Sequence, residues 1–169
     1  MLILDACCGP RTMWRKVPEN VVGVDVVVRD PVIRGHTWKL HYTPPVTPDI
    51  RADVRRLPFR DEVFDVCYFD PPHQDLSPRA QLFPHCGGLS RAAFRSVILD
   101  GGREIRRVLK PEGFLFAKMT DSVGDRDFSL SHVELILVAL GFDLYAKVWR
   151  RSRSNKSDAR TYWLSFKKK

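Results

Sequence analysis

Short apolar runs separated by polar, turn-rich stretches recur along the chain, and two longer stretches carry apolar residues at helical spacing. Leu2-Ile3-Leu4 reads as a first strand, followed by a short helix over 11–16. Val21-Val22-Gly23-Val24 reads as a second strand that ends at Asp25. Residues 29–48 are rich in proline and carry Trp38 and Tyr42; they read as an irregular insertion with a β-hairpin over 37–42. Ile50-Arg51-Ala52 is a short strand ending at Asp53, and Phe64 to Phe69 is a buried strand that delivers Asp70. A Pro/Gly-containing loop spans 74–89. Positions 90–108 then keep helical spacing through Ala93, Val97, Ile105 and Val108, with Gly101-Gly102 expected to weaken or break the helix. Lys110-Pro111-Glu112-Gly113 is a turn, Phe114 to Ala117 a strand, and Leu130 to Leu140 a helix stopped by Gly141. Two last strands, over 144–148 and 161–166, flank a basic stretch and suggest an antiparallel edge hairpin. Strands alternating with helices predict an α/β layer structure with a mostly parallel sheet.

The 169 residues, 44% of them hydrophobic, suffice for a single domain over 1–169 with a sizeable core. No repeat, low-complexity tract or inter-domain linker interrupts them. No apolar stretch is long enough to span a bilayer, and Met1 leads into an apolar strand without a charged leader region. The expectation is a soluble, cytoplasmic protein with no membrane partner. The formal charge of +8 changes the picture more, because its clustering points to a polyanion, nucleic acid first. The four cysteines (Cys7, Cys8, Cys67, Cys86) match no zinc spacing, so no metal is expected and structural thiols in a reducing compartment are the default. His36, His41, His85 and His132 read as surface or loop residues. Nothing in the sequence sets the oligomeric state, and a monomer is the simpler expectation.

Four strand ends carry an aspartate: Asp5, Asp25, Asp53 and Asp70. In an open α/β sheet, ligands bind beyond the carboxyl ends of the strands. Asp5 opens Asp5-Ala6-Cys7-Cys8-Gly9-Pro10, where a glycine lets backbone approach a ligand closely. The segment is neither a GxGxxG turn nor a P-loop. Asp25 is placed to accept from ribose hydroxyls and Asp53 from an adenine amino group. A rim of carboxylates suits a ligand that is cationic, ribosylated and aminated, and S-adenosylmethionine is such a ligand. Each aspartate alone would also serve as a helix cap or a turn residue. Asp70-Pro71-Pro72-His73 is the most distinctive corner. Its prolines fix the backbone and offer carbonyls without competing N–H groups, and Asp70 adds a carboxylate. Two such acceptors suit an amino group, which has hydrogens to give.

Taken in order, Asp5-Ala6-Cys7-Cys8-Gly9-Pro10, Val24-Asp25, the segment from Asp53 to Phe59, Phe69-Asp70-Pro71-Pro72-His73 and the segment from Val108 to Phe114 resemble the class I, Rossmann-like S-adenosylmethionine-dependent methyltransferases over nearly the whole chain. The resemblance implies a seven-stranded, mostly parallel sheet with an antiparallel C-terminal hairpin and helices on both faces. It implies a cofactor site from Asp5, Cys7, Gly9 and Pro10 beside the methionine part, Asp25 on the ribose, Asp53 and Val54 on the adenine, and Asp70. Asp70-Pro71-Pro72-His73 is similar to the Asp/Asn/Ser-Pro-Pro-aromatic signature of the amino-methyltransferases, which act on exocyclic amines of adenine or cytosine or on glutamine amides. On that reading the Asp70 carboxylate and the Pro71 carbonyl each take one N–H and turn the nitrogen lone pair toward the sulfonium methyl. Asp70 is also a candidate for receiving the departing proton. His73 replaces the usual aromatic ring, which bears on how a base is held. Cys86 as a nucleophile for carbon-5 methylation fits poorly, since those enzymes carry cysteine in their own motif.

The substrate side rests on charge. Arg150, Arg151, Arg153 and Lys156 lie in a basic stretch near the C-terminus, and Arg79 lies in a loop after the motif that could act as a lid hinged at Gly87-Gly88. No added region for reading a DNA sequence is visible, so a structured RNA is the expected partner. The resemblance extends to small archaeal-like ribosomal RNA methyltransferases, and N4 of a cytosine in ribosomal RNA is the preferred acceptor. N6 of adenine in RNA or DNA is the alternative. The rivals are a protein glutamine methyltransferase and a non-catalytic RNA-binding module.

Overall fold

The apolar runs collect into one sheet with a hydrophobic layer on one side. A computed structural model describes residues 1–11, 13–34, 41–72, 89–121, 129–151 and 160–169. Its strands are β1 (Ile3–Ala6), β2 (Val21–Asp25), β3 (Val32–Arg34), β4 (His41–Thr43), β5 (Ile50–Arg51), β6 (Phe64–Phe69), β7 (Leu109–Asp121), β8 (Phe142–Arg151) and β9 (Arg160–Lys168). Helices α1 (Arg91–Val108) and α2 (Leu130–Ala139) join β6 to β7 and β7 to β8. The seven-stranded sheet has the order β5-β2-β1-β6-β7-β9-β8, and β3 pairs with β4 in a separate antiparallel ribbon. All pairings from β5 to β7 are parallel, while β9 runs antiparallel to both β7 and β8. The expected mostly parallel sheet with a reversed terminal hairpin is therefore present. The strand order reverses beside β1, which puts the carboxyl ends of β1, β2 and β6 around one crevice.

Period-two alternation sorts the side chains. Leu4, Ala6, Val24, Cys67, Phe69, Leu115, Ala117, Leu164 and Phe166 are buried in one cluster with Phe94, Val97, Ile98 and Ile105 of α1 and Val133 and Leu137 of α2. Both described helices thus lie on the same face of the sheet. The other face carries Asp5, Tyr68, Phe116, Lys118 and Trp163, and no described helix covers it. The expectation of helices on both faces is met, among the described residues, on one.

Gly101-Gly102 does not break α1. A Cβ at Gly101 would sit 3.2 Å from Cγ1 of Val54, and one at Gly102 would sit 2.7 Å from Cδ1 of Leu140. The two glycines let the helix lie against its neighbours, which offsets their low helix propensity of about 1 kcal/mol each. Ser90 caps the start by accepting from the Ala93 N–H at 3.3 Å. The expected helix over 11–16 is instead a turn in which the Trp14 N–H donates to the Arg11 carbonyl at 3.0 Å (Thr12 lies outside the described residues). Arg11 has a φ of 54°, which a helix does not accommodate.

Lys110 to Gly113 forms an excursion inside β7: Phe64 pairs with Leu109 and Val66 already with Phe114. The last two strands are longer than expected, so Arg150 and Arg151 belong to β8 and not to a linker. The hairpin expected over 37–42 falls mostly outside the described residues, although β3 and β4 flank it. Among the described residues no helix is long and apolar enough to cross a membrane.

Candidate active site

Asp5 sits inside β1, not at its tip, with Gly23 and Tyr68 as its neighbours across the sheet. It is 1% exposed. Its Oδ2 accepts from the Trp14 indole N–H at 2.6 Å, while its Oδ1 is buried with no hydrogen-bond partner among the described residues. Burial pushes the carboxyl from 3.8 up to about 6; the Trp14 hydrogen bond and Arg11 act against this, and Asp70 and Asp25 add to it.

The chain leaves β1 through a strained loop. Cys7 has a φ of 62° and Gly9 a φ of 49°. Asp25 clamps this loop: its Oδ2 accepts from the Gly9 N–H at 2.9 Å and its Oδ1 from the Val27 N–H at 2.8 Å. The Cys8 N–H donates to the Val24 carbonyl at 3.0 Å. A Cβ built on Gly9 would meet nothing within 4 Å, so open space lies over the glycine. Arg11 crosses β2 at Gly23, where a Cβ would lie 2.7 Å from its guanidinium, and pairs with Asp49 at 2.7 Å. Asp25 and the Gly9 loop are therefore brought together. Cys7, Cys8 and Cys67 are free thiols. Burial pushes all three up, Cys8 to about 12, so they stay protonated and inert, as the structural reading of the cysteines requires.

Asp53 follows β5. Its carboxylate is engaged by Arg55, whose Nε donates at 3.0 Å and whose other nitrogen donates at 2.6 Å, and these bonds hold the carboxyl below its ordinary value. Asp53 therefore reaches the rim as half of an ion pair. The Val54 side chain is buried against α1, so it is part of the core. Arg107 fixes the segment that follows, donating to the carbonyls of Leu57 (3.0 Å) and Phe59 (2.8 Å) and to Glu104 and Asp61.

Asp70 emerges from β6 next to β1, its N–H 3.4 Å from the Ala6 carbonyl. The Lys118 ammonium donates to its Oδ2 at 2.5 Å. Lys118 was not singled out from the sequence. Phe69 pairs with Ala117, so Lys118 is the cross-strand neighbour of Asp70, a fact that only the strand order reveals. Lys118 also lines a cavity of about 380 Å³, together with Met13, Trp14, Tyr68 and Trp163. Trp14 meets Tyr68 edge to face at 5.1 Å, and Tyr68 stacks on Phe116 at 5.2 Å. Pro71 is buried and Pro72 half-buried. His73, Arg79, Cys86, Arg153 and Lys156 lie outside the described residues, as does the side chain of Arg151; Arg150 is exposed. Among the described residues no three His, Cys, Asp or Glu side chains group as a metal site.

No protein-family model matches the chain, and no curated protein does. Solved structures do. A methyltransferase of Methanosarcina mazei described as S-adenosylmethionine-dependent superposes with a TM-score of 0.56 at 15% identity, over 98% of this chain and 91% of that one. The N-methyltransferase NodS of Bradyrhizobium japonicum, in complex with S-adenosyl-L-homocysteine, gives 0.61 at 12% identity over 98% and 76%. This is the class I methyltransferase fold. The same methyltransferase fold is shared by the [4+2]-cyclase SpnF, at a TM-score of 0.57 and 16% identity over 98% of this chain and 74% of that one. The class I fold therefore does not settle the chemistry, which has to be argued from the site.

Proposed function

We propose that this protein transfers a methyl group from S-adenosylmethionine to an exocyclic amino group of a base in RNA, with N4 of a cytosine in ribosomal RNA as the preferred acceptor. The observation that carries the reading is Asp5 Oδ1, a buried carboxylate oxygen with no hydrogen-bond partner among the described residues, on the strand that leads into the Gly9 loop, where open space lies over the glycine. Such an oxygen calls for a cation or a donor, and the donor's methionine part brings an ammonium group. Asp5, Cys7, Gly9 and Pro10 would hold that part, Asp25 the ribose, and the backbone at Asp53 and Val54 the adenine. Bound there, S-adenosylmethionine supplies a methyl carried on a sulfonium.

The chain's own work is positioning. The Asp70 carboxylate and the Pro71 carbonyl accept the two N–H groups of the acceptor amine and turn its lone pair out of conjugation. Lys118 balances the charge of Asp70 at 2.5 Å. The net charge of +8 and exposed Arg150 support a polyanionic partner, with Arg79, Arg151, Arg153 and Lys156 as further phosphate contacts.

The test is transfer of a labelled methyl group to total RNA, followed by nucleoside mass spectrometry. N4-methylcytidine is expected. N6-methyladenosine would move the acceptor to adenine, and label in protein alone would overturn the nucleic-acid reading. Asp70→Ala should abolish turnover with cofactor affinity kept within about three-fold, whereas Asp25→Ala should weaken cofactor binding by about ten-fold or more, the worth of a charged hydrogen bond. Equal loss of cofactor binding in both variants would refute this division of roles.

A further inference from the structure

We infer that the cavity between Trp14, Tyr68, Lys118 and Trp163 is the seat of the acceptor base, and that Lys118 reads the ring nitrogen next to the amine. The inference rests on the reading of Asp70 given above and adds a binding site and a specificity-determining residue to it.

Asp70 and Lys118 are chemical opposites held side by side. An ionised carboxylate only accepts hydrogen bonds and an ammonium only donates them. Their separation of 2.5 Å fixes an acceptor and a donor on adjacent strands at the same level of the sheet. The matching ligand edge presents a donor beside an acceptor. Cytosine offers this as its N4 amine beside N3, and adenine as its N6 amine beside N1. Uracil lacks the amine altogether. Among the described residues the only hydrogen-bond partner of Lys118 is Asp70, so the other N–H groups of the ammonium are left for a ligand.

The walls favour a ring over a chain. Trp14, Tyr68 and Trp163 are three aromatic groups around about 380 Å³, within the usual range of small-molecule sites. Each is held: Trp14 by its indole bond to Asp5 at 2.6 Å, Tyr68 by stacking on Phe116 with an interplanar angle of 21°, and Trp163 by its strand register opposite Lys118. A glutamine amide has the same donor–acceptor edge but no ring to fill this space. Base stacking on such side chains is worth roughly ten-fold or more per base in affinity. The pocket therefore commits to an unpaired, aminated base, which must leave its helix to enter.

The experiment titrates the full chain with short single-stranded oligouridine RNA carrying one cytidine or one 3-deazacytidine, and a second pair carrying adenosine or 1-deazaadenosine. Binding is read by quenching of tryptophan fluorescence, with Trp14→Phe and Trp163→Phe assigning the signal. The natural base should bind about ten-fold tighter than its deaza analogue in at least one pair, the usual worth of a hydrogen bond to a charged group. Lys118→Met should erase that difference, while Lys118→Arg, which keeps a donor, should retain part of it. No discrimination in either pair, or full discrimination by Lys118→Met with an unchanged melting temperature, would overturn the inference. Failure of the methyltransferase reading looks different: discrimination and quenching persist, but no labelled methyl reaches RNA.

Discussion

The buried Asp5 should make this protein less stable as the pH rises from acid to neutral, and replacing it should remove that effect. The carboxyl goes from 3.8 to about 6 because burial disfavours its charge. A raised value in the folded state means that the native protein holds the proton more tightly than the unfolded chain. Asp5 therefore costs nothing below about pH 3.8 and costs progressively more up to about pH 6, after which the penalty is constant. The shift of about two units corresponds to about 3 kcal/mol at 1.36 kcal/mol per unit. For a chain of this size that is roughly 6–12 °C in melting temperature.

Asp5→Asn keeps an oxygen for the Trp14 indole but cannot ionise. Urea unfolding of both proteins at pH 4.5, 5.5, 6.5 and 7.5 isolates the effect as a difference. Asp53, Asp65 and Glu104, whose values are lowered mainly by hydrogen bonds from Arg55, Lys110 and Arg107, change stability in the opposite direction but cancel in the comparison. The variant should gain on the wild type as pH rises and hold a constant lead above about pH 6.5. Saturating S-adenosylmethionine should shrink that lead, because a cation at Oδ1 relieves the penalty only when the carboxylate is present. A pH-independent difference would refute the argument that Asp5 is ionised at a cost, and a lead untouched by the cofactor would detach Asp5 from the proposed cofactor site.

Arg107→Met should lower stability by about 2–3 kcal/mol in urea unfolding, since it deprives two loop carbonyls and Glu104 of charged donors. A loss under about 0.5 kcal/mol would mean that water replaces the guanidinium without penalty. Gly113→Ala should cost about 1–3 kcal/mol, because its Cβ would lie 2.9 Å from the Lys110 carbonyl and 3.1 Å from that of Asp65, both backbone atoms. Gly102→Ala should cost less, since its Cβ meets the end of a flexible leucine and gains helix propensity; the reverse order in thermal melts would contradict the packing described. Arg150→Ala should reduce the salt slope of RNA binding by about one phosphate contact, and an unchanged slope removes β8 from the interface.

What the sequence makes legible follows from which forces are local. The alternation that buries Cys67 and Phe69 and the spacing of Val97, Ile105 and Val108 are local patterns, and the strands and helices they announce are present. The segment over 11–16 misled because Arg11 and Trp14 are drawn to distant acceptors, Asp49 and Asp5, and the chain gives up helical geometry to reach them. Gly101-Gly102 misled because its reason is another element's side chains, Val54 and Leu140.

The site divides in the same way. Asp25 and Gly9 were legible because each ends or follows its own strand, and their hydrogen bond joins neighbouring strands. Lys118 was not, because it follows the strand read over Phe114 to Ala117 and nothing local in the sequence ties it to Asp70. Only when β7 lies beside β6 in the same direction does position 118 come level with Asp70. Asp5 is the converse case: visible as an acid near a strand end, it lies within the strand, and its isolation follows from Trp14 folding over it. Two charged groups on the face that no described helix covers, one without a full set of partners among the described residues and one tied to Asp70, are costly to keep on a sheet for packing alone. Both are explained together if ligands complete them, a cation at Asp5 and an aminated ring at Lys118.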